Sequence, residues 1–239
     1  MKKKIKIGYA GLSHLGINYA VASATKGFDV VCFDEDSKII ESLKRKILPF
    51  FEKNLKKNLE KNYKKFKFTN EINQLSKCDL IFISKDTPTN SLNKSNSSLI
   101  KKLIKKVTKN ISKKSNLIIL SQVPPGFTRS IKWNRNKLYY QVETLIFSQA
   151  QKRALNPERI IVGKYSKNIN KRYLYYLKKF RCPIVEMNYE SSELAKISIN
   201  IFLISTLTST NILSEICENL GANWHSISTA LRLDKRIGR

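Results

Sequence analysis

The sequence predicts an α/β fold: a doubly wound parallel sheet with helices on both faces, followed by a long helix that opens a helical module. Three observations carry this. Short apolar runs alternate with amphipathic stretches from residue 4 to residue 187, the order of strands and crossover helices. The first such unit has a glycine turn between its strand and its helix. From residue 191 to residue 220 the chain has no glycine or proline and is apolar on most faces, as a long packed helix is.

The first unit is the most telling. KIKIGYA (residues 4–10) reads as an apolar strand. GLSHLG (11–16) is a tight turn that opens a helix, INYAVASATKG (17–27). FDVVCFDED (28–36) is a second strand ending in acids. This is the order of a dinucleotide-binding βαβ unit, a Rossmann-type arrangement. Gly11 permits the sharp turn. The helix start offers unpaired N–H groups and a positive dipole end to a pyrophosphate. Gly16 lets helix and strand pack closely. Asp34 can accept hydrogen bonds from a ribose diol, and its charge repels a 2′-phosphate, so NAD is expected over NADP. No arginine follows Asp34 within ten residues, and Lys38 is the nearest cation on its C-terminal side. Ser13 stands where the G-x-G-x-x-G pattern has its middle glycine, at the closest approach to the pyrophosphate. The expected cofactor turn is therefore Gly11, Ser13, His14, Leu15 and Gly16. The competing reading is a scaffold of the same shape that no longer binds a dinucleotide.

The remaining elements follow in order. A helix is expected over 37–46, then a lysine-rich helix over 53–67, whose Leu55, Leu59, Tyr63 and Phe66 share one face. FKFTN (66–70) reads as a short strand. CDLIFISKD (78–86) and NLIILSQ (116–122) are continuous apolar strands, fit for burial on both faces. Thr87 and Pro88 make a turn, a polar loop runs over 90–98, and a helix covers 99–111. VPPGFT (123–128) is a loop. LYYQVET, RIIVG and CPIVEM (138–144, 159–163, 182–187) add strands, with helices over 147–155 and 166–180. Ligands of such sheets bind beyond the carboxyl ends of strands, where Asp34, Thr87 and the 123–128 loop fall. The pattern changes near residue 190, which divides a sheet domain (1–188) from a helical segment (189–239). Gly221 is a natural cap for the long helix, and a second helix covers 223–233.

Composition narrows the function classes. Of 239 residues 41% are hydrophobic, enough for a real core, and there are four cysteines, with no metal or disulfide spacing. No apolar run reaches a membrane span, and a strand begins at once, leaving no room for a leader; a cytoplasmic protein is expected. Net charge is +27, but the lysines are spread along the chain and no helix-turn-helix, RNP-like or finger pattern accompanies them. Nucleic-acid binding is therefore the weaker reading. His14 and His225 lack partner patterns, and their rings read as structural or solvent-facing.

The motif order resembles the UDP-glucose/GDP-mannose dehydrogenase family. The resemblance is carried by residues 11–16, the strand ending at Asp34, Thr87-Pro88, SQVPPGFT (121–128), QVET (141–144), NPERIIVG (156–163), ELAKISIN (193–200) and DKRIG (234–238). It implies an NAD-dependent oxidoreductase acting on the CH–OH group of a nucleotide sugar. It implies Lys196, Asn200 and Glu143 as catalytic residues, with Ser121 and Gln122 beside the cofactor, and a homodimer built on the 191–220 helix. Lys196 and Asn200 stand one helical turn apart on one face. The departures are specific. Gln122 replaces a threonine, Gln141 and Val142 replace Asn-Pro, and Phe147 replaces a second acid. The family's nucleophilic cysteine lies beyond DKRIG, past Arg239. The chain is therefore expected to fall short of complete alcohol-to-acid oxidation. Two other readings stay open: a non-catalytic dinucleotide-binding or dimerising module, and a basic polyanion binder.

Overall fold

The computed structural model describes residues 5–87 and 97–237. They form two compact units, residues 1–196 and 197–239, so the division falls inside the long helix.

The first unit begins with β1 (Lys6–Ala10), α1 (His14–Thr25) and β2 (Asp29–Phe33), then α2 (Ser37–Lys44) and α3 (Leu55–Lys61). Next come β3 (Phe66–Thr69), β4 (Leu80–Ile83), α4 (Ser98–Asn110), β5 (Asn116–Ile119) and β6 (Leu138–Gln141). α5 (Ala150–Leu155), β7 (Ile160–Gly163), α6 (Lys171–Lys178) and β8 (Ile184–Met187) complete the sheet, and α7 (Tyr189–Leu220) follows. One eight-stranded sheet runs in the order β3-β2-β1-β4-β5-β6-β7-β8. The strand order reverses between β1 and β4, and the crevice at that switch lies at the strands' carboxyl ends. β4 is apolar and buried throughout, and β1 and β5 are so beyond Lys6 and Asn116, because both faces are covered.

The core beneath α1 and α6 is aromatic. Tyr9 stacks on Phe82 at 4.9 Å between centroids. The Tyr9 hydroxyl lies 2.7 Å from Ser23 Oγ and 3.2 Å from the Tyr176 hydroxyl. These buried phenols thus satisfy one another, and burial pushes the Tyr176 hydroxyl up to about 12.

Four expectations are corrected. The sheet is not parallel throughout: β7 runs antiparallel to β6, and β8 follows β7 in parallel. The connection between β6 and β7, residues 142–159, carries the short helix α5 and returns the chain antiparallel beside β6. The lysine-rich helix is shorter than its apolar spacing implied. Leu55 and Leu59 are buried, but the helix ends at Lys61, and Phe66 already belongs to β3. The long helix is exposed where burial was expected, with Phe202 75% and Leu207 61% accessible. Among the described residues of the second unit, α7 is followed by α8 (Trp224–Leu233). Finally, α7 does contain a window with mean hydropathy 1.4, sufficient by length and composition alone to cross a membrane. Gly221 caps α7 in the left-handed region at φ +69°, as expected, and Asn223 caps α8 by accepting from the Ser226 N–H. Pro88 and most of the 90–98 loop lie outside the described residues.

The base of α7 is fixed to the sheet. A Cβ on Gly163, the last residue of β7, would stand 2.0 Å from Ser192 Oγ and 3.2 Å from Tyr140 Cβ. Gly163→Ala should therefore cost about 1–3 kcal/mol through overpacking. Thermal unfolding should show a clearly lowered Tm, and an unchanged Tm would contradict this close approach.

Candidate functional site

The site is built at the carboxyl ends of β1, β2, β4, β5 and β6. Gly11 leaves β1 at φ +98°, and a Cβ there would stand 2.8 Å from the Lys85 backbone N. Its N–H donates to the Phe33 carbonyl at the end of β2, 3.0 Å away. A Cβ on Gly16 would stand 2.0 Å from the Gly11 carbonyl oxygen, so only glycine lets α1 start this close to the turn. Leu15 points into the core at 5% exposure, leaving its backbone at the helix start. Asp34 is 5% exposed and accepts from Leu12 N at 2.7 Å and Asp36 N at 3.0 Å. Each of its oxygens keeps a lone pair for a ribose hydroxyl. Lys38 is exposed in the first turn of α2, which Asp36 caps through the Lys38 N–H.

Ser13 turns its hydroxyl toward the loop after β4. It donates to the Ser84 carbonyl at 3.1 Å and accepts from the Asp86 N–H at 3.0 Å. The bulk that replaces the middle glycine is thereby directed into a tie with that loop, and the turn keeps Gly11, Gly16, the helix start and the acid at Asp34. The Ser84 hydroxyl also donates to the Gly11 carbonyl at 2.8 Å. Ser121 is fully buried and donates to the Lys85 carbonyl at 2.6 Å, a joint between the ends of β4 and β5. Gln122 is exposed, and its carbonyl accepts from the Thr87 hydroxyl at 2.7 Å.

His14 takes the structural place expected of it, with a partner that no sequence pattern indicated. Its Nε2 lies 3.2 Å from Glu52 Oε2, and its ring sits between Phe50 and Phe147, 4.7 and 4.8 Å away. Glu52 is 3% exposed and also accepts from the Ala150 N–H at 3.1 Å. One buried acid thus joins the 46–54 loop, α1 and α5. Sequence separation hid this contact. His225 is exposed on α8, as expected.

Glu143 and Lys196 meet, with Lys196 Nζ 2.7 Å from Glu143 Oε1 and both side chains largely buried. Glu143 Oε2 accepts from the Leu145 N–H. Lys196 is set by a residue one turn earlier that sequence reasoning did not single out. Glu193 accepts from Gly126 N at 2.6 Å and Thr128 N at 2.8 Å, clamping the proline loop to α7. Burial raises the Glu193 pKa, against the opposing pull of Thr128 and Gly126. Gln141 is buried and accepts from the Tyr173 hydroxyl at 2.8 Å, which gives it a core role. Asn200 lies on α7 four residues beyond Lys196, in the second unit. A second missed residue, Asp86, stands beside the helix start.

Comparisons with known proteins agree with this geometry. Residues 5–180 match the UDP-glucose/GDP-mannose dehydrogenase family, NAD binding domain, and residues 190–239 match the central domain of the same family. UDP-glucose 6-dehydrogenase of Rickettsia prowazekii is 31% identical, over 98% of this chain and 57% of the relative. UDP-glucose 6-dehydrogenase TuaD of Bacillus subtilis is 28% identical, over 98% of this chain and 53% of the relative. A UDP-glucose dehydrogenase structure from Pyrobaculum islandicum superposes with TM-score 0.89 at 23% identity, over 98% of this chain and 58% of that one. The chain thus spans little more than half the length of the curated relatives it matches.

The geometry at Asp34 predicts a cofactor preference. NAD should bind at least about tenfold more tightly than NADP, because a 2′-phosphate would meet a buried carboxylate. Asp34→Ala should weaken NAD binding and erase that preference, as read by calorimetric titration. Equal affinities for the two dinucleotides in the unaltered protein would show that Lys38 governs this end instead.

Proposed function

The chain belongs to the UDP-glucose/GDP-mannose dehydrogenase family with NAD as its cofactor, and from that premise we propose that it serves NAD-dependent oxidation of the CH–OH group of a nucleotide sugar in the cytoplasm. The observation that carries this reading is the 2.7 Å pair of Lys196 and Glu143 at the same end of the sheet as the glycine turn. Bound NAD supplies the hydride acceptor. As hydride leaves the alcohol carbon, negative charge builds on its oxygen. The Lys196 ammonium, held by Glu143 in a largely buried setting, is the group suited to stabilise that charge. The Glu143 carboxylate is the nearby acceptor for the hydroxyl proton. Asn200 is assigned a donor role through its family match.

The later, aldehyde-to-acid stage needs a thiolate nucleophile and a managed water. Burial pushes the Cys32 thiol up, and it pushes Cys78 up to about 12 and raises Cys182 as well. These are poor nucleophiles. Phe147, 79% exposed, stands where the family resemblance has an acid. The 239-residue chain incubated with NAD and UDP-glucose, UDP-N-acetyl sugars or GDP-mannose should therefore not yield two NADH per uronate at ordinary turnover. Any NADH that forms should fall by about 10²-fold or more in Lys196→Ala. Two NADH per acid, or NADH formation indifferent to Lys196, would overturn this assignment. NAD binding with no NADH at all would favour the non-catalytic binding module.

The exposed apolar residues of α7 support a homodimer built on that helix, since a contiguous apolar face of this size calls for cover. Serine, threonine and asparagine recur over 205–211 within the same helix, and this segment matches the family's central domain, both of which favour a protein partner over lipid. Light scattering should give a dimer mass at tens of micromolar, and a clean monomer there would contradict the proposal.

A further inference from the structure

At the end of α1 remote from the glycine turn the surface is hollow. The hollow has a volume of about 890 Å³ and lies among the last turn of α1, the end of α6 and the 156–157 turn before β7. Small-molecule sites span about 300–1,000 Å³, so it is large enough for one. α1 has 12 residues, which at about 1.5 Å per residue sets the hollow roughly 18 Å from the glycine turn. Four cations line it: Lys26, Lys178, Lys179 and Arg181. No acid lines it. The acid nearest to the lining in sequence, Glu158, is taken up by Arg153 and Arg159 at 3.3 and 3.4 Å.

Aromatic rings of the same wall place two of the ammonium groups. Lys26 Nζ stands 5.5 Å from the centre of the Phe180 ring, and Lys179 Nζ stands 5.1 Å from that of Tyr175. Phe180 is buried, and the half-exposed Tyr175 is braced edge-on against Phe28 at 6.2 Å. Arg181 follows α6 in the left-handed region at φ +55°, an uncommon conformation for a residue other than glycine. Among the described residues none of the four cations forms an ion pair or a side-chain hydrogen bond. Lysine is abundant in this chain, and a solvated face is its ordinary setting. This group differs because it is concave and its charges act on one another: burial and the Arg181 guanidinium hold the Lys26 ammonium below its ordinary range. α1 and α6 both end here, with Lys26 and Lys179 as their caps. Each helix end presents about half a negative charge, so the two together offset about one of the four positive charges.

We propose that this hollow binds a small polyphosphate anion, one with two or more linked phosphoryl groups. The inference stands independently of the dehydrogenase reading. A concave wall of one sign focuses the field and draws in an anion of matching size. The planar fork of Arg181 suits two oxygens of one phosphoryl group, and the ammonium groups of Lys26 and Lys178 are point charges for the next. Tyr175 is the ring on which a nucleoside carrying those phosphates would rest. The closed outline favours a compact anion over a nucleic-acid strand, whose phosphates call for cations along an extended track.

The test is calorimetric titration of sodium tripolyphosphate into the 239-residue chain, free and saturated with NAD, with ATP in a second arm. Lys26→Gln and Arg181→Asn are compared with Lys105→Gln/Lys109→Gln, which removes two exposed charges from α4. Asparagine tolerates the left-handed backbone at position 181, and glutamine keeps much of the apolar stem at position 26. Thermal melting checks that each variant folds. The proposal predicts one saturable site that persists in the NAD-saturated chain. Lys26→Gln and Arg181→Asn should each weaken it about three- to tenfold, and the α4 variant less than about twofold. Tighter binding of ATP than of tripolyphosphate, with the gain lost in Tyr175→Leu, assigns a nucleotide to the hollow, and equal affinities assign the phosphates alone. Equal weakening by the α4 variant would reduce the effect to net charge and overturn the proposal. So would displacement of tripolyphosphate by NAD with no effect of Lys26 or Arg181, which would place it at the glycine turn. Absence of saturable binding in a folded chain would overturn it as well, as would a single-stranded oligonucleotide that binds through Lys26 and Arg181 and resists displacement by tripolyphosphate.

Discussion

The structure depends on the contact between Gly16 and the Gly11 carbonyl. A Cβ at residue 16 would lie 2.0 Å from that oxygen, so α1 can begin this close to β1 only because the side chain is missing. Everything at the site is measured from that point. The Gly11 N–H reaches β2, the Ser84 hydroxyl reaches the Gly11 carbonyl, and Asp34 holds the Leu12 N–H. Three parallel strands thus end in one hydrogen-bonded knot. The open first turn of α1 projects from it toward the crevice where the strand order reverses.

Acids are scarce in this protein, and several buried ones are joints between segments distant in sequence. Asp34 ties β2 to the turn after β1. Glu52 ties the loop before α3 to α1 and α5. Glu193 ties α7 to the proline loop, and Glu143 reaches Lys196. Each carboxylate takes two partners, which offsets the cost of burying its charge. The basic residues are mostly on the surface, so the large net charge describes the exterior and the few acids hold the interior framework together.

The elements legible in the sequence are those set by local pattern. The βαβ unit, the strands with both faces apolar and the Gly221 cap each follow from short-range spacing, and all stand in the structure. What the sequence concealed depends on contacts between distant segments. The reversal of β7 is a matter of which side of β6 the chain returns to and in which direction, which periodicity does not encode. His14 gained Glu52, and Ser13 gained Asp86, across separations that a single sequence does not pair. The long helix shows the opposite error. Its apolar residues imply burial somewhere, and the sequence cannot say whether the covering surface belongs to the same chain. At the site, Lys196 and Glu143 were legible only through the family resemblance, and the clamp at Glu193 that sets Lys196 emerged from the fold.

The central claim is that the turn from Gly11 to Gly16 is the seat of the cofactor. It is tested most directly by following backbone amide resonances of the labelled protein as NAD is added. The account predicts the largest shifts at the amides of residues 12–16 and at Asp34 and Asp36, with the amides of α8 unmoved. Shifts centred elsewhere, or none in a protein whose spectrum shows it folded, would contradict it.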